Sequence, residues 1–191
     1  MPAPETPLPA DDATLLCLDM QPVFLRAIGD GARVQRRCGF AIAAAAGIGV
    51  PVAFTEQVPF KLGHTAPELL ALAPRAPVWG KNTFSALADD GIRDALLRQS
   101  NVQHLILCGI ETPICIYQTA CAALAENLHV TVLSDAVGAR RSEDAATCLH
   151  ALMQAGAHVL PAETVFYALL REVNHPFFRA YTQLVKAHAE A

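Results

Sequence analysis

Along most of this chain, short apolar runs alternate with longer stretches that repeat at helical period. Residues 14–18, 50–54, 78–79, 104–108, 129–133 and 157–160 read as six strands. Runs as uniformly apolar as Thr14-Leu-Leu-Cys-Leu18 and His104-Leu-Ile-Leu-Cys108 suit strands buried on both faces. Residues 33–46, 89–99, 113–127 and 142–154 have helical character, as do the closing segments 163–171 and 177–187. A shorter helix is expected at 67–72, inside a long proline-bearing connection. Gly47-Ile-Gly49 is the expected stop of the first helix, and Thr112 with Pro113 the expected N-cap and first position of the helix at 113–127. Short strands alternating with helices of this length predict an α/β fold, a three-layer sandwich with helices on both faces of a parallel sheet. Neither a repeat nor a linker interrupts the pattern, so residues 13–188 are expected to form one domain. Residues 1–12, with prolines at 2, 4, 7 and 9, are expected to be a flexible N-terminal arm.

Composition narrows the function classes. Apolar residues make up 53% of the 191 and charged residues 17%, so the chain should fold around a sizeable core. Net charge is −4, and Arg36-Arg37 and Arg140-Arg141 are isolated pairs that read as solvated surface. A nucleic-acid partner needs a concentrated basic face, and none is visible. The longest apolar stretch, 41–54, is too short to span a bilayer and contains Pro51. No signal-peptide pattern opens the chain, so the expectation is a cytoplasmic protein without a membrane partner. The six cysteines show no C-x-x-C spacing, and the default is six reduced thiols, most of them small buried hydrophobes.

Parallel sheets bind ligands beyond the carboxyl ends of their strands, where strand order reverses. Three residues near such ends could carry chemistry. Cys115 lies where a strand passes through a tight turn into a helix, and unpaired N–H groups and the helix dipole there favour thiolate over thiol. A cysteine packed under its own helix is an equally good reading of that location alone. Asp19 ends an apolar strand; it could relay the thiol proton, or serve merely as a turn former. Lys81, in Trp79-Gly-Lys-Asn-Thr-Phe-Ser85, could offset the Asp19 charge, or be an ordinary surface lysine. The three gain weight only together.

Leu18-Asp-Met-Gln-Pro-Val-Phe24, Lys81-Asn-Thr-Phe-Ser85 and Gly109-Ile-Glu-Thr-Pro-Ile-Cys115 resemble, in order, the Asp, Lys and Cys motifs of isochorismatase-like cysteine hydrolases. Thr55-Glu-Gln-Val-Pro-Phe-Lys-Leu-Gly63 and the stretch ending in Asn174-His-Pro-Phe-Phe178 resemble the YcaC-like and MAR1-like subgroup of that family. The resemblance implies a Rossmann-like six-stranded sheet of order 3-2-1-4-5-6 and a catalytic triad of Asp19, Lys81 and Cys115. It implies an oxyanion hole built from the backbone N–H groups of Glu111 and Cys115, a cis Ile110–Glu111 peptide, and a homo-oligomer. Phe24, Gln57, Phe84 and Pro113 are the residues expected to shape the substrate pocket. Some relatives hold a metal through an Asp and histidines after the second strand. Here that loop reads Thr55-Glu56-Gln57 with His64 its lone histidine, so neither metal nor other cofactor is expected.

The implied activity is hydrolysis of a small molecule at an amide-type C–N bond, through a thioester at Cys115. The alternatives are cleavage of a vinyl ether, as in isochorismatase, and a non-catalytic binding or scaffold role on the same fold.

Overall fold

The computed structural model of this protein describes residues 12–99 and 102–188. Six strands, β1 (Ala13–Leu18), β2 (Val52–Gln57), β3 (Val78–Lys81), β4 (His104–Ile110), β5 (His129–Gly138) and β6 (His158–Leu160), form one sheet ordered β3-β2-β1-β4-β5-β6. Every neighbouring pair is parallel. The order reverses between β1 and β4, so the connections that leave their carboxyl ends turn to opposite faces of the sheet and open a crevice there.

Side chains of successive strand residues point to opposite faces, and β1 shows this directly. Leu15 and Cys17 join a core with Cys38, Phe40, Val165 and Tyr181, whereas Leu16 and Leu18 join a second core with Ile92, Ala120 and Leu152. The first core lies under α2 (Gly31–Ile48), α8 (Ala162–Leu170) and α9 (Phe178–Ala187). The second lies under α5 (Asp90–Asp94), α6 (Tyr117–Ala125) and α7 (Ser142–Gln154). Ala41, Ala44 and Ala45 are wholly buried on α2, where short side chains bring the helix close to the sheet. The predicted three-layer α/β fold and its strand order are therefore present.

The differences lie at element ends. Single turns start at prolines within the connections, as α1 (Pro22–Leu25), α3 (Pro59–Leu62) and α4 (Pro67–Leu70). Helix α2 runs on through Gly47 and stops at Gly49, which takes the left-handed φ of +93°. Gly47 is needed for packing rather than for a stop, since the Phe177 ring fills the space that a Cβ would occupy. Strand β5 extends five residues beyond the predicted 129–133, past a register shift between Leu107 and Gly109 on its neighbour. Of the predicted arm, residues 1–11 lie outside the described residues; the Asp12 carbonyl accepts the N–H groups of Gln103 and His104. Among the described residues, no helix is long and apolar enough to cross a membrane.

Candidate active site

The carboxyl ends of four central and neighbouring strands meet at the crevice. Asp19 follows β1, Gln57 ends β2, Lys81 ends β3, and Cys115 follows β4 through a π-type turn, Thr112–Ile116. The close approach of β1 and β4 depends on Gly109: its φ is +112°, and a Cβ there would lie 2.1 Å from the Leu18 carbonyl oxygen. Asp19 itself takes φ +54°, a left-handed conformation that Asp tolerates better than most residues.

The structure brings Asp19, Lys81 and Cys115 together. The Lys81 ammonium donates to Asp19 Oδ2 at 2.7 Å and to Gln57 Oε1 at 2.5 Å. It lies 3.6 Å from Cys115 Sγ and 3.2 Å from each of the Thr83 and Phe84 carbonyl oxygens. The other carboxylate oxygen, Oδ1, accepts the Thr55 hydroxyl at 2.8 Å. Asp19 is 1% exposed and the Lys81 side chain not at all, so neither charge would be tolerated there without the other. Gln21, wholly buried, holds this floor together. Its amide donates to the carbonyls of Gln57 (3.0 Å) and Gly63 (2.6 Å), and its Oε1 accepts the Gln57 N–H at 2.7 Å.

A cavity of about 350 Å³ opens above this group. Its walls include Val23, Phe24, Ile28, Phe84, Ile110 and Ile114, and its polar groups are Asp19, Gln57, Glu111, Cys115 and Arg140. Lys81 is not among the lining residues; it sits behind Asp19 and the sulfur. Three of the four expected pocket residues, Phe24, Gln57 and Phe84, line the cavity. Pro113 does not. It occupies the second position of the turn, after Thr112, and its neighbour Ile114 supplies the wall instead. The Ile110–Glu111 peptide is cis, and the Glu111 N–H points at the Cys115 sulfur.

The thiol does not behave as its place near a helix start suggests. Burial and the Asp19 carboxylate push the Cys115 thiol up to about 12, against the opposing pull of Lys81. Loss of water and the like charge of Asp19 outweigh the ammonium, and the balance favours the protonated thiol. The expected Thr112 cap is also absent: its hydroxyl donates instead to the Gly138 carbonyl on β5 at 3.0 Å.

Of the arginines expected to be solvated surface, Arg37 is largely covered, whereas Arg140 keeps its side chain 61% exposed. Arg37 binds the Asp135 carboxylate through Nε (2.9 Å) and Nη2 (2.5 Å). Arg140 lines the cavity, and its Nε lies 3.0 Å from Glu111 Oε2 while its backbone N–H donates to Glu111 Oε1 at 3.0 Å. Their neighbours behave as expected; Arg141, for example, pairs with Asp144 at an exposed site. Nothing in the local sequence around Arg140 marks it, since its partner lies 29 residues away. The lone histidine of the β2 loop, His64, places Nδ1 2.9 Å from Glu56 Oε2, and Glu56 Oε1 accepts the Thr65 N–H at 2.7 Å.

The isochorismatase domain model matches residues 13–164. Isochorismatase domain-containing protein 2A of Mus musculus is 34% identical over 179 residues, covering 94% of this chain and 84% of its own. The structure of MAR1 ribonuclease from Caenorhabditis elegans superposes with a TM-score of 0.88 at 30% identity, over 95% of this chain and 93% of that one. The YcaC proteins share the fold at lower identity. That of Pseudomonas aeruginosa, described with hexane-2,5-diol and covalent acrylamide, gives a TM-score of 0.88 at 21% identity over 96% and 94% of the two chains. That of Escherichia coli, described as an octameric hydrolase of unknown specificity, gives 0.84 at 22% over 98% of each. Matched from β1 into α8 by the domain model, and about a third identical to the mouse protein over nearly its whole length, the chain belongs to the isochorismatase family.

Proposed function

We propose that this protein is a cysteine-dependent hydrolase that cleaves an amide-type C–N bond of a small molecule through a thioester at Cys115. One observation carries the reading: a carboxylate, an ammonium and a thiol in mutual contact at the floor of a cavity large enough for a compact substrate. The substrate carbonyl enters the cavity and the Cys115 thiol attacks its carbon while Asp19 accepts the thiol proton. The carbonyl oxygen becomes an oxyanion, for which the Glu111 and Cys115 backbone N–H groups are the donors. Collapse breaks the C–N bond, and Asp19 returns its proton to the departing amine. Water, deprotonated by Asp19, then attacks the thioester; the sulfur leaves with that proton and the acid product is released. Throughout, Lys81 stabilises whichever of Asp19 and Cys115 carries the negative charge. No step calls on a metal or cofactor.

The neutral resting thiol supports this order of events, since a carboxylate in contact with a thiol is placed to take its proton only when substrate arrives. The covalent acrylamide of the Pseudomonas protein is a small amide held on the same fold, which fits a substrate of that size. Ribonuclease activity, named for the Caenorhabditis protein, is not proposed here: a cavity of about 350 Å³ on a chain of net charge −4 suits a small molecule better than a polyanion. We also propose a homo-oligomer, on the exposed Phe60 and Phe84 and the octamer of the Escherichia coli relative.

The test is turnover of a panel of small amides, read as amine or ammonia release, with mass spectrometry of protein quenched during turnover. The expected result is an acyl adduct on Cys115 and no turnover by Cys115→Ala. Amide turnover that survives Cys115→Ala would exclude the thioester route.

A further inference from the structure

Outside the cavity, three of the six cysteines converge. Cys17 on β1, Cys38 on α2 and Cys108 on β4 place their sulfurs all within 4.8 Å of one another. Cys17 and Cys108 are register partners on adjacent parallel strands, so their side chains leave the sheet on the same face, and α2 delivers Cys38 onto them. The Met20 thioether lies 3.9 Å from Cys38 Sγ. All four residues are 0% exposed. Their wide separation in sequence is why spacing gave no sign of the cluster.

We infer that Cys17, Cys38 and Cys108 form a binding site for one soft monovalent metal ion of the Cu(I) type, with Met20 as an adjoining thioether donor. The donor set decides the class of ion. Three thiol sulfurs and a thioether, with no carboxylate or imidazole in the group, disfavour magnesium, calcium and manganese. Structural zinc almost always takes four strong ligands in a tetrahedron, whereas thiolate and thioether sulfur select Cu(I). Charge points the same way. In a dry core a net charge is costly, and a monovalent ion that displaces one thiol proton leaves the cluster neutral. In that step one thiol proton leaves for solvent as one metal–thiolate bond forms, the Met20 thioether is the neutral second donor, and the remaining two thiols stay protonated beside the ion; no electron is transferred. This inference does not depend on the hydrolytic reading.

Because the sulfurs are sealed, the ion must enter while the chain folds or when α2 lifts from the sheet. Loading should therefore be slow for native protein and complete on refolding. The experiment refolds the full chain anaerobically in a thiol-free reductant with Cu(I), desalts it, and measures copper per chain with the thiolate-to-copper absorption. The expected result is one retained ion per chain, still present in Cys115→Ala/Cys121→Ala/Cys148→Ala, which leaves the cluster intact. Cys17→Ala/Cys38→Ala/Cys108→Ala should retain none. The inference is overturned if the unaltered chain keeps no copper, or if copper disappears from the variant that retains the cluster. That second variant decides the matter even where the core substitutions prevent folding.

Discussion

Replacing Asp19 by Asn should make Cys115 a better target for alkylation while making the protein a worse catalyst. Asn preserves the shape and an oxygen for Thr55 or Lys81, and it removes only the charge. A carboxylate about 4 Å from a thiolate opposes it by about 4 kcal/mol at an effective dielectric near 20, or about 3 pKa units. The Lys81 ammonium, 3.6 Å from the sulfur, favours the thiolate by a similar amount, and with Asp19 neutralised the thiolate takes over as its counter-charge. The sign is unambiguous: without the Asp19 charge, the Cys115 thiol should fall from about 12 by about 3 units. Near pH 8 the thiolate population then rises about a thousandfold. Intrinsic nucleophilicity falls with pKa at a slope of about 0.4–0.5, which leaves a net gain of roughly 30-fold in alkylation rate. Turnover should move the other way, by about 10²–10⁴, because the proton relay is gone. The assay follows iodoacetamide labelling of the Cys115 peptide by mass spectrometry across pH, beside amide turnover. Equal or slower labelling in Asp19→Asn would refute the electrostatic account; undiminished turnover would refute the relay.

Lys81→Met strands the Asp19 carboxylate in the core, and should lower stability by about 3–5 kcal/mol in chemical denaturation as well as abolish turnover. Gly109→Ala forces a Cβ onto the Leu18 carbonyl at a left-handed φ; loss of more than about 3 kcal/mol is expected, read as poor soluble yield or a much reduced Tm. Gln21→Ala removes three hydrogen bonds, two to Gln57 and one to Gly63, and a loss of about 2–3 kcal/mol with a lower kcat should follow. Arg140→Ala, at the rim and away from the sulfur, should raise KM about tenfold and leave kcat nearly unchanged, as steady-state kinetics will show.

How much of this was readable in the residues follows from where each signal resides. The strands were legible because burial on both faces demands unbroken apolar runs, as in Leu15 to Leu18 and Leu105 to Leu107. Asp19, Lys81 and Cys115 were found because the rule for parallel sheets says which strand ends to search, and because their flanking motifs resemble a known family. What the sequence concealed depends on partners distant along the chain. Thr112 looks like a cap until Gly138 arrives beside it, and Arg37 looks like surface until Asp135 does. Cys17, Cys38 and Cys108 each look like filler until the sheet and α2 are assembled. The state of the Cys115 thiol is likewise hidden, since the helix start is local and visible whereas burial is collective and is not.

The placement of Lys81 behind the floor, with Asp19 and Cys115 alone exposed to the cavity, separates two kinds of tolerance to change. The positive charge is fastened into the scaffold by Gln57 and the Thr83 and Phe84 carbonyls, out of reach of any guest. Lining positions such as Val23, Phe24 and Ile114 touch none of those fastenings that the hydrogen bonds record. Lineages built on this frame are thus free to reshape the chamber for new guests while the reactive machinery beneath it is inherited whole.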